Sequence, residues 1–455
     1  MSPEPTRRSQ ASSEADVGRE PEPLVAADPG LHDRAYLVLL LVVALLGIPL
    51  SLAAFGFLVA VHELEHVVWE SLPSALGYDA LPSWWPILTI TAAGVLVGLA
   101  AKYLPGHGGH VPVAGFGGEP ATPSMLPGVL LAAAASLVGG AVVGPEAPLI
   151  AIGGGLALLA VRSSRLAADP GIATVVSAAG AAAAMSAIFG NPLVAVVIFL
   201  EILGLGRRRT MLVVLPCLVS SAVGALLFTG MGRWTGLEIG ELSIPDLAPV
   251  RLSAVEVAWA PILAAVVACL TWSVFFVGRR VARVAASRPM TTTVAAGLVA
   301  GAAACAYAWT TGHSPAEVAL SGQALLPVLA TDPGAWSTGG LVALLAFKSV
   351  AYGVSLGAFR GGPVFPAVLL GAACGVLASG LTSGIDLLPG LAIGMAAGAA
   401  TTGLPVTSVV LVVLLLGDAA ASQMPAVILA VVTAMVVHER LSSWVLPSAG
   451  AQPDG

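Results

Sequence analysis

Long apolar runs separated by short polar breaks fill the chain from residue 35 to residue 446. The runs cover 35–61, 84–104, 124–143, 145–161, 171–188, 191–205, 210–230, 254–278, 291–311, 338–357, 363–381, 387–401, 404–417 and 424–446. The first is long enough for a tilted spanning helix, since about 20 apolar residues cross a bilayer. Several others fall short of that length, and many are interrupted by Gly or Pro. Broken backbone at membrane depth is stable only where protein buries it or where it lines a wet cavity. The pattern therefore predicts an all-α polytopic membrane protein with broken helices, the layout of a transporter or channel.

Composition agrees with that picture. Of the 455 residues, 57% are hydrophobic and 10% charged, and the mean hydropathy is +0.94. A soluble domain of this size needs far more charge. The net charge of −6 points to no nucleic-acid partner, because much of it lies in the polar segment 1–33. That segment reads as a disordered tail and not as a signal peptide, whose apolar core would lie closer to Met1. The transmembrane unit is expected over 34–447, with a short tail at 448–455 and no room for a C-terminal regulatory domain. Cys217, Cys269, Cys305 and Cys374 are far apart in apolar segments. They suggest core residues and no disulfide or metal framework, and no cofactor is implied. Basic residues group at Arg162 and Arg165, at Arg207, Arg208 and Arg209, and at Arg279, Arg280, Arg283 and Arg288. The positive-inside rule makes the last two groups cytoplasmic loops, with 231–253 outside and the N-terminus cytoplasmic.

Two motif pairs suggest a duplication. GPEAPLIAIG (144–153) and GPVFPAVLLG (362–371) share Gly-Pro-x-x-Pro and a later Gly, at an offset of 218. NPLVAVVIFLEIL (191–203) and LPVTSVVLVVLLL (404–416) share a second pattern at an offset of 213. The halves would run roughly over 84–230 and 290–447, as inverted repeats with a site at their interface. Chance similarity in a Gly-, Pro- and Val-rich chain is the competing reading. Proline favours the first turn of a helix, so both Gly-Pro stretches read as helix starts. A helix start offers free N–H groups and partial positive charge, an anion site. Glu146 falls there, in an otherwise apolar stretch. An ionisable residue at membrane depth points to function. A protonated or capping glutamate of structural role is the alternative.

The motif set resembles the CLC family of chloride channels and chloride/proton antiporters over roughly residues 35–446. GPEAP (144–148) is similar to the family's Gly-(Arg/Lys)-Glu-Gly-Pro. FGNPLVAVVIFLEI (189–202), GAFRGGPVFPAVLLGAACG (357–375) and LPVTSVVLVV (404–413) resemble three further family stretches, and KYLPGHGGHVPV (102–113) a fourth, weakly. The resemblance implies a homodimer in the bacterial plasma membrane, with one anion pathway per subunit and no cytoplasmic regulatory domain. It implies Glu146 as a gate that blocks the anion site when charged and leaves when protonated. Gly144, Ala147, Val364 and Phe365 would line the anion site, with Gly108, Gly109 and His110 approaching from the other side.

Departures from the family pattern bear on selectivity and coupling. The family's Ser position holds Gly109 and the next holds His110, an imidazole that would add pH dependence. The basic residue before the gate is Pro145. The first amide position of the anion site is Pro363, which has no N–H. The second, inner glutamate of coupled members, next to the position of Glu201, is Ile202. Chloride is the default anion and conduction or weak proton coupling the expected mode. A proton-coupled antiporter is the alternative. Lys348, alone in an apolar helix, attracts anions, pairs with a carboxylate, or snorkels from a helix end. Glu201 and Lys348 are candidate pathway residues. HELEH (62–66) fits His-Glu-x-x-His, with His62 and His66 one turn apart and Glu63 as base. An intramembrane zinc protease is thus the rival class, though no aspartate sits in the expected context and the stretch reads as a polar helix end.

Overall fold

The computed structural model describes residues 34–116, 122–162, 169–203, 207–235, 244, 245, 247 and 249–445. The expected tails at 1–33 and 448–455, Arg165 and most of the polar loop after Thr235 lie outside these residues. The described helices are α1 (Arg34–His66), α2 (Leu72–Ala75), α3 (Trp85–Tyr103), α4 (Leu126–Val138), α5 (Glu146–Val161), α6 (Pro170–Phe189), α7 (Pro192–Leu203) and α8 (Arg207–Thr235). They continue as α9 (Ala254–Ser287), α10 (Pro289–Thr311), α11 (Leu325–Thr331), α12 (Thr338–Ala358), α13 (Val364–Leu381), α14 (Leu387–Ala400), α15 (Pro405–Leu416) and α16 (Ala420–Val445). Among the described residues nine helical stretches are long and apolar enough to cross a membrane, and α4, α5, α7 and α14 are apolar but shorter. The protein is an all-α integral membrane protein with broken helices.

Local chemistry sets many of the helix boundaries. Proline stands in the first turn of α3, α4, α6, α10 and α15, where its missing N–H costs nothing. Asp169 caps α6 through the amides of Gly171 (2.8 Å) and Ile172 (3.3 Å), and Gly190 closes that helix in the left-handed region. Ser253 and Glu256 form a reciprocal capping box at the start of α9. The second Glu256 oxygen accepts from Asp386 N (3.3 Å), so one buried carboxylate joins the starts of α9 and α14.

Two boundaries differ from the sequence reading. The apolar run 124–143 is not one helix: α4 stops at Val138, and Gly140 turns the chain at φ +88°. A Cβ there would overlap the Trp69 ring, so glycine is needed for both conformation and space. The run 254–278 extends to Ser287, which puts Arg279, Arg280 and Arg283 on α9 and not in a loop. Arginine, alanine and valine sustain a helix beyond its apolar part. Arg207, Arg208 and Arg209 likewise open α8.

The second half repeats the first. The order α3, α4, α5, α6, α7, α8 recurs as α10, α12, α13, α14, α15, α16, with α3 packed on α10, α5 on α6 and α13 on α14. Small residues carry these crossings. A Cβ on Gly153 would overlap the carbonyl of Gly180, and one on Gly371 the carbonyl of Gly394. Gly371 follows Gly153 by the motif offset of 218, so the same close contact recurs in each half. Gly144 and Gly362, also equivalent, pair as an antiparallel bridge, N to O at 2.8 Å and 2.5 Å. Reciprocal pairing of equivalent residues puts a local two-fold axis between them. The helices that start there, α5 and α13, are inverted copies.

Candidate functional site

The Gly144–Gly362 bridge brings two helix starts together. Pro145 precedes α5 and Pro363 precedes α13, so each proline stands one place before its helix. Glu146 is the first residue of α5 and is fully buried. Its Oε1 accepts from Phe365 N at 3.2 Å. Its Oε2 is buried with no hydrogen-bond partner among the described residues. The carboxylate of one half therefore occupies the positive end of a helix in the other. Gly144 and Gly362 flank it closely, and a Cβ on either would overlap the carboxylate. This explains why the duplicated motif opens on glycine in both copies.

Neighbouring side chains hold the pocket in shape. Val364 and Phe365 are buried, and the Phe365 ring stacks on Phe189 at 6.1 Å. Ala147 lies half-buried in the first turn of α5. Pro363 has no N–H to give, but its carbonyl accepts from the buried Tyr352 hydroxyl at 2.5 Å. One turn further along α12, Ser355 Oγ accepts from Val142 N at 3.2 Å. Tyr352 and Ser355 thus brace the two loops that carry the bridge. Sequence reasoning missed both. Their signal was a hydroxyl-bearing face on an apolar helix that leads directly into the second Gly-Pro motif.

The other expected site residues lie elsewhere. Glu201 caps α15: its carboxylate accepts from Val406 N (2.6 Å), Thr407 N (2.8 Å) and Thr407 Oγ1 (2.5 Å). Ile202 packs beside it, half-buried against the core. Lys348 does not snorkel; it is fully buried. Its Nζ donates to the carbonyls of Glu317 (2.8 Å), Val318 (3.3 Å), Ala319 (3.1 Å) and Leu320 (3.4 Å). The Glu317 carboxylate takes Tyr307 Oη (2.5 Å) and Trp336 Nε1 (2.8 Å) and meets His313 at 3.3 Å. Lys348 thus pins the loop before α11, away from the Glu146 carboxylate's own contacts.

The glycine loop after α3 forms no α-helix start among the described residues; it carries only 3-10 turns at Pro105–Gly108 and Pro112–Ala114. Gly108 is buried and faces Arg360, Gly109 faces Val129, and His110 is exposed. Among the described residues none of the three is hydrogen-bonded to Glu146. Arg360, buried in the segment between α12 and α13, is the third residue that sequence reasoning passed over. His62, Glu63 and His66 sit on the exposed end of α1. His66 meets Glu70 at 3.2 Å and Ser71 at 3.3 Å. Among the described residues no group of three His, Cys, Asp or Glu side chains is gathered to hold a metal.

Similarity to known proteins bears on the family and the fold. A family model described as "Voltage gated chloride channel" matches residues 112–439. The YfeO proteins of Salmonella newport SL254 and Salmonella typhimurium LT2, which carry an ion-transport name, are each 34% identical over 179 residues. That match spans 38% of this chain and 42% of each relative. A slow cyanobacterial Cl−/H+ antiporter shares the fold at a TM-score of 0.70 and 17% identity, over 89% of this chain and 94% of its own. A CLC-type fluoride/proton antiporter does so at 0.64 and 15%, over 88% and 97%. A eukaryotic CLC transporter does so at 0.67 and 18%, over 89% and 72%. The chain belongs to the voltage gated chloride channel family, the CLC family.

Proposed function

We propose that this protein moves a small inorganic anion, chloride by default, across the membrane, with Glu146 as a protonatable gate. One observation carries the reading: the buried Glu146 carboxylate lies at the Phe365 amide, with its other oxygen unpartnered among the described residues. A carboxylate in a helix-start pocket stands where a free anion would bind. While charged, it excludes the anion. Once protonated it loses most of its attraction to the amide and the helix dipole, and an incoming anion replaces it. Gly144 and Gly362 leave the room for that exchange, and Ala147, Val364 and Phe365 line it. Gly108, Gly109 and His110 would belong to the approach from the opposite side. Ile202 beside Glu201 supplies no inner carboxylate, which favours conduction or weak proton coupling over tight exchange. The proposed setting is a homodimer in the bacterial plasma membrane with a cytoplasmic N-terminus.

The test is anion efflux from proteoliposomes, with chloride, fluoride and proton movement recorded together. Native protein is expected to pass chloride faster as pH falls, because acid neutralises Glu146. Glu146→Gln, neutral at every pH, is expected to be faster than native at neutral pH and flat from pH 5 to 8. Stoichiometric proton movement with chloride would replace the channel reading with the antiporter. A fluoride-only flux would replace the anion. No anion flux in either protein would end the transport reading.

A further inference from the structure

One face of α12 carries three buried polar side chains, Lys348, Tyr352 and Ser355, spaced i, i+4 and i+7. Tyr352 holds the carbonyl of Pro363 and Ser355 the amide of Val142, so both reach backbone beside the bridge of Gly144 and Gly362. Lys348 reaches the same loop by a longer route. An ammonium has three N–H groups, and here they are shared among four successive carbonyls, from Glu317 to Leu320. The turn closed in this way ends in a strained residue. Leu320 has φ +60°, a region that a leucine occupies only where its surroundings over-determine it. The same residue donates its N–H to the carbonyl of Gly140 at 3.0 Å.

Gly140 belongs to the loop that leads to Glu146. The Trp69 ring stands where a Cβ on Gly140 would lie, and Trp69 Nε1 is itself anchored on the carbonyl of Val138 at 2.9 Å. From there the loop is fixed at alternate residues: Gly140 through its carbonyl, Val142 through its amide and Gly144 by the bridge. Glu146 follows two residues later. Its Oε1 must meet the Phe365 amide, which belongs to the other half, so the placing of this loop sets the fit between them. Among the described residues the titratable groups joined to the turn are Lys348, Glu317, His313 and Tyr307. Lys348 is hydrogen-bonded to the turn and not to Glu146.

We propose that Lys348 is a positioning residue for the Glu146 gate, acting through the turn 317–320 and the hydrogen bond from Leu320 to Gly140. The inference rests on the transport reading above and adds a mechanical support to it. With the turn closed, the charged carboxylate fits the Phe365 amide. With the turn released, the loop shifts and the charged form loses part of that fit. A seat that favours the charged form less is vacated at a lower proton concentration, so the gate opens at a higher pH.

The test is chloride efflux against pH from proteoliposomes holding native protein, Lys348→Met, or a chain with an ester in place of the Leu320 amide. The ester removes one donor N–H and keeps every side chain, so the test does not depend on Lys348→Met folding; thermal melting checks both. The pH of half-maximal efflux is expected to rise by about 0.5 to 1 unit in each, the equivalent of one backbone hydrogen bond. Added to Glu146→Ala, which has no carboxylate to seat, neither change is expected to alter the rate further. A native half-maximal pH in the folded ester protein would overturn the proposal. So would an equal loss of rate with and without the Glu146 carboxylate, the result expected of a purely structural lysine. Hydrogen exchange reads the loop without reference to flux: the Val142 and Gly144 amides are expected to exchange several-fold faster in both altered proteins. Native protection there, with native protein moving chloride, would end this inference alone. Absence of anion flux from native protein would end the transport reading, and the gate with it.

Discussion

The Glu146 carboxylate accepts from the Phe365 amide and lies against Gly144 and Gly362, where a Cβ would overlap it. The Gly362→Ala variant should therefore act on the proposed gate directly. Its methyl group would occupy the space of the carboxylate, so the side chain must leave the pocket. Efflux in Gly362→Ala is expected to be raised several-fold at neutral pH and to lose its pH dependence. Adding Glu146→Ala removes the overlapping group, so the double variant should match Glu146→Ala alone. Residues in contact are expected to show such non-additivity. Independent, additive effects in the flux assay would show that the two do not meet.

At the scale of elements, carboxylates from one part of the chain close helix starts in another. Glu201, at the end of α7, gives the amides of Val406 and Thr407 their partner at the start of α15. Leu404, which precedes α15, makes no side-chain cap of its own. Glu201 therefore serves as a helix cap. Glu201→Ala leaves two amides and a hydroxyl without their acceptor. By the usual worth of an N-cap it should cost about 1–2 kcal/mol, seen as a lower melting temperature in detergent. Because the proposed gate, Glu146, is elsewhere, the same variant should keep the pH dependence of chloride efflux. Unchanged melting would show that water or lipid replaces the cap. Lys348 follows the same logic with opposite charge, closing four successive carbonyls after a 3-10 turn.

At the scale of the whole molecule, the two inverted halves are joined by close backbone contact. The bridge at Gly144 and Gly362 links the halves, and one glycine crossing lies within each half, Gly153 on Gly180 and Gly371 on Gly394, repeated by the duplication. In lipid, small residues that let backbones approach supply much of the attraction between helices. A methyl group at Gly371 would land on the Gly394 backbone, which cannot turn aside as a side chain can. Overpacking of this kind costs about 1–3 kcal/mol. Gly371→Ala is expected to lower the melting temperature, and Gly153→Ala, at the equivalent crossing, to do so similarly. A marked difference between the two would mean that the halves carry unequal loads despite their shared design.

The sequence alone determined much of this protein. Apolar run lengths, Pro and Gly breaks and the paired Gly-Pro motifs prescribed an all-α membrane protein with helix starts at Glu146 and Val364. These are local signals, written within one or two turns of chain. The ordered motifs likewise made the family legible. Charge in an apolar segment was also legible as a demand for a partner. Which partner it finds was not. Glu146 meets an amide 219 residues away, Glu201 one 205 away, and Arg360 a carbonyl 253 away. Contacts at such separations leave no periodicity in the sequence. Only the tertiary structure decided that Lys348 is a buried loop clamp, that Glu201 is a cap, and that Gly108 faces Arg360. The reason is physical: a buried charge fixes how strongly it must be satisfied, whereas the packing of distant helices fixes by what.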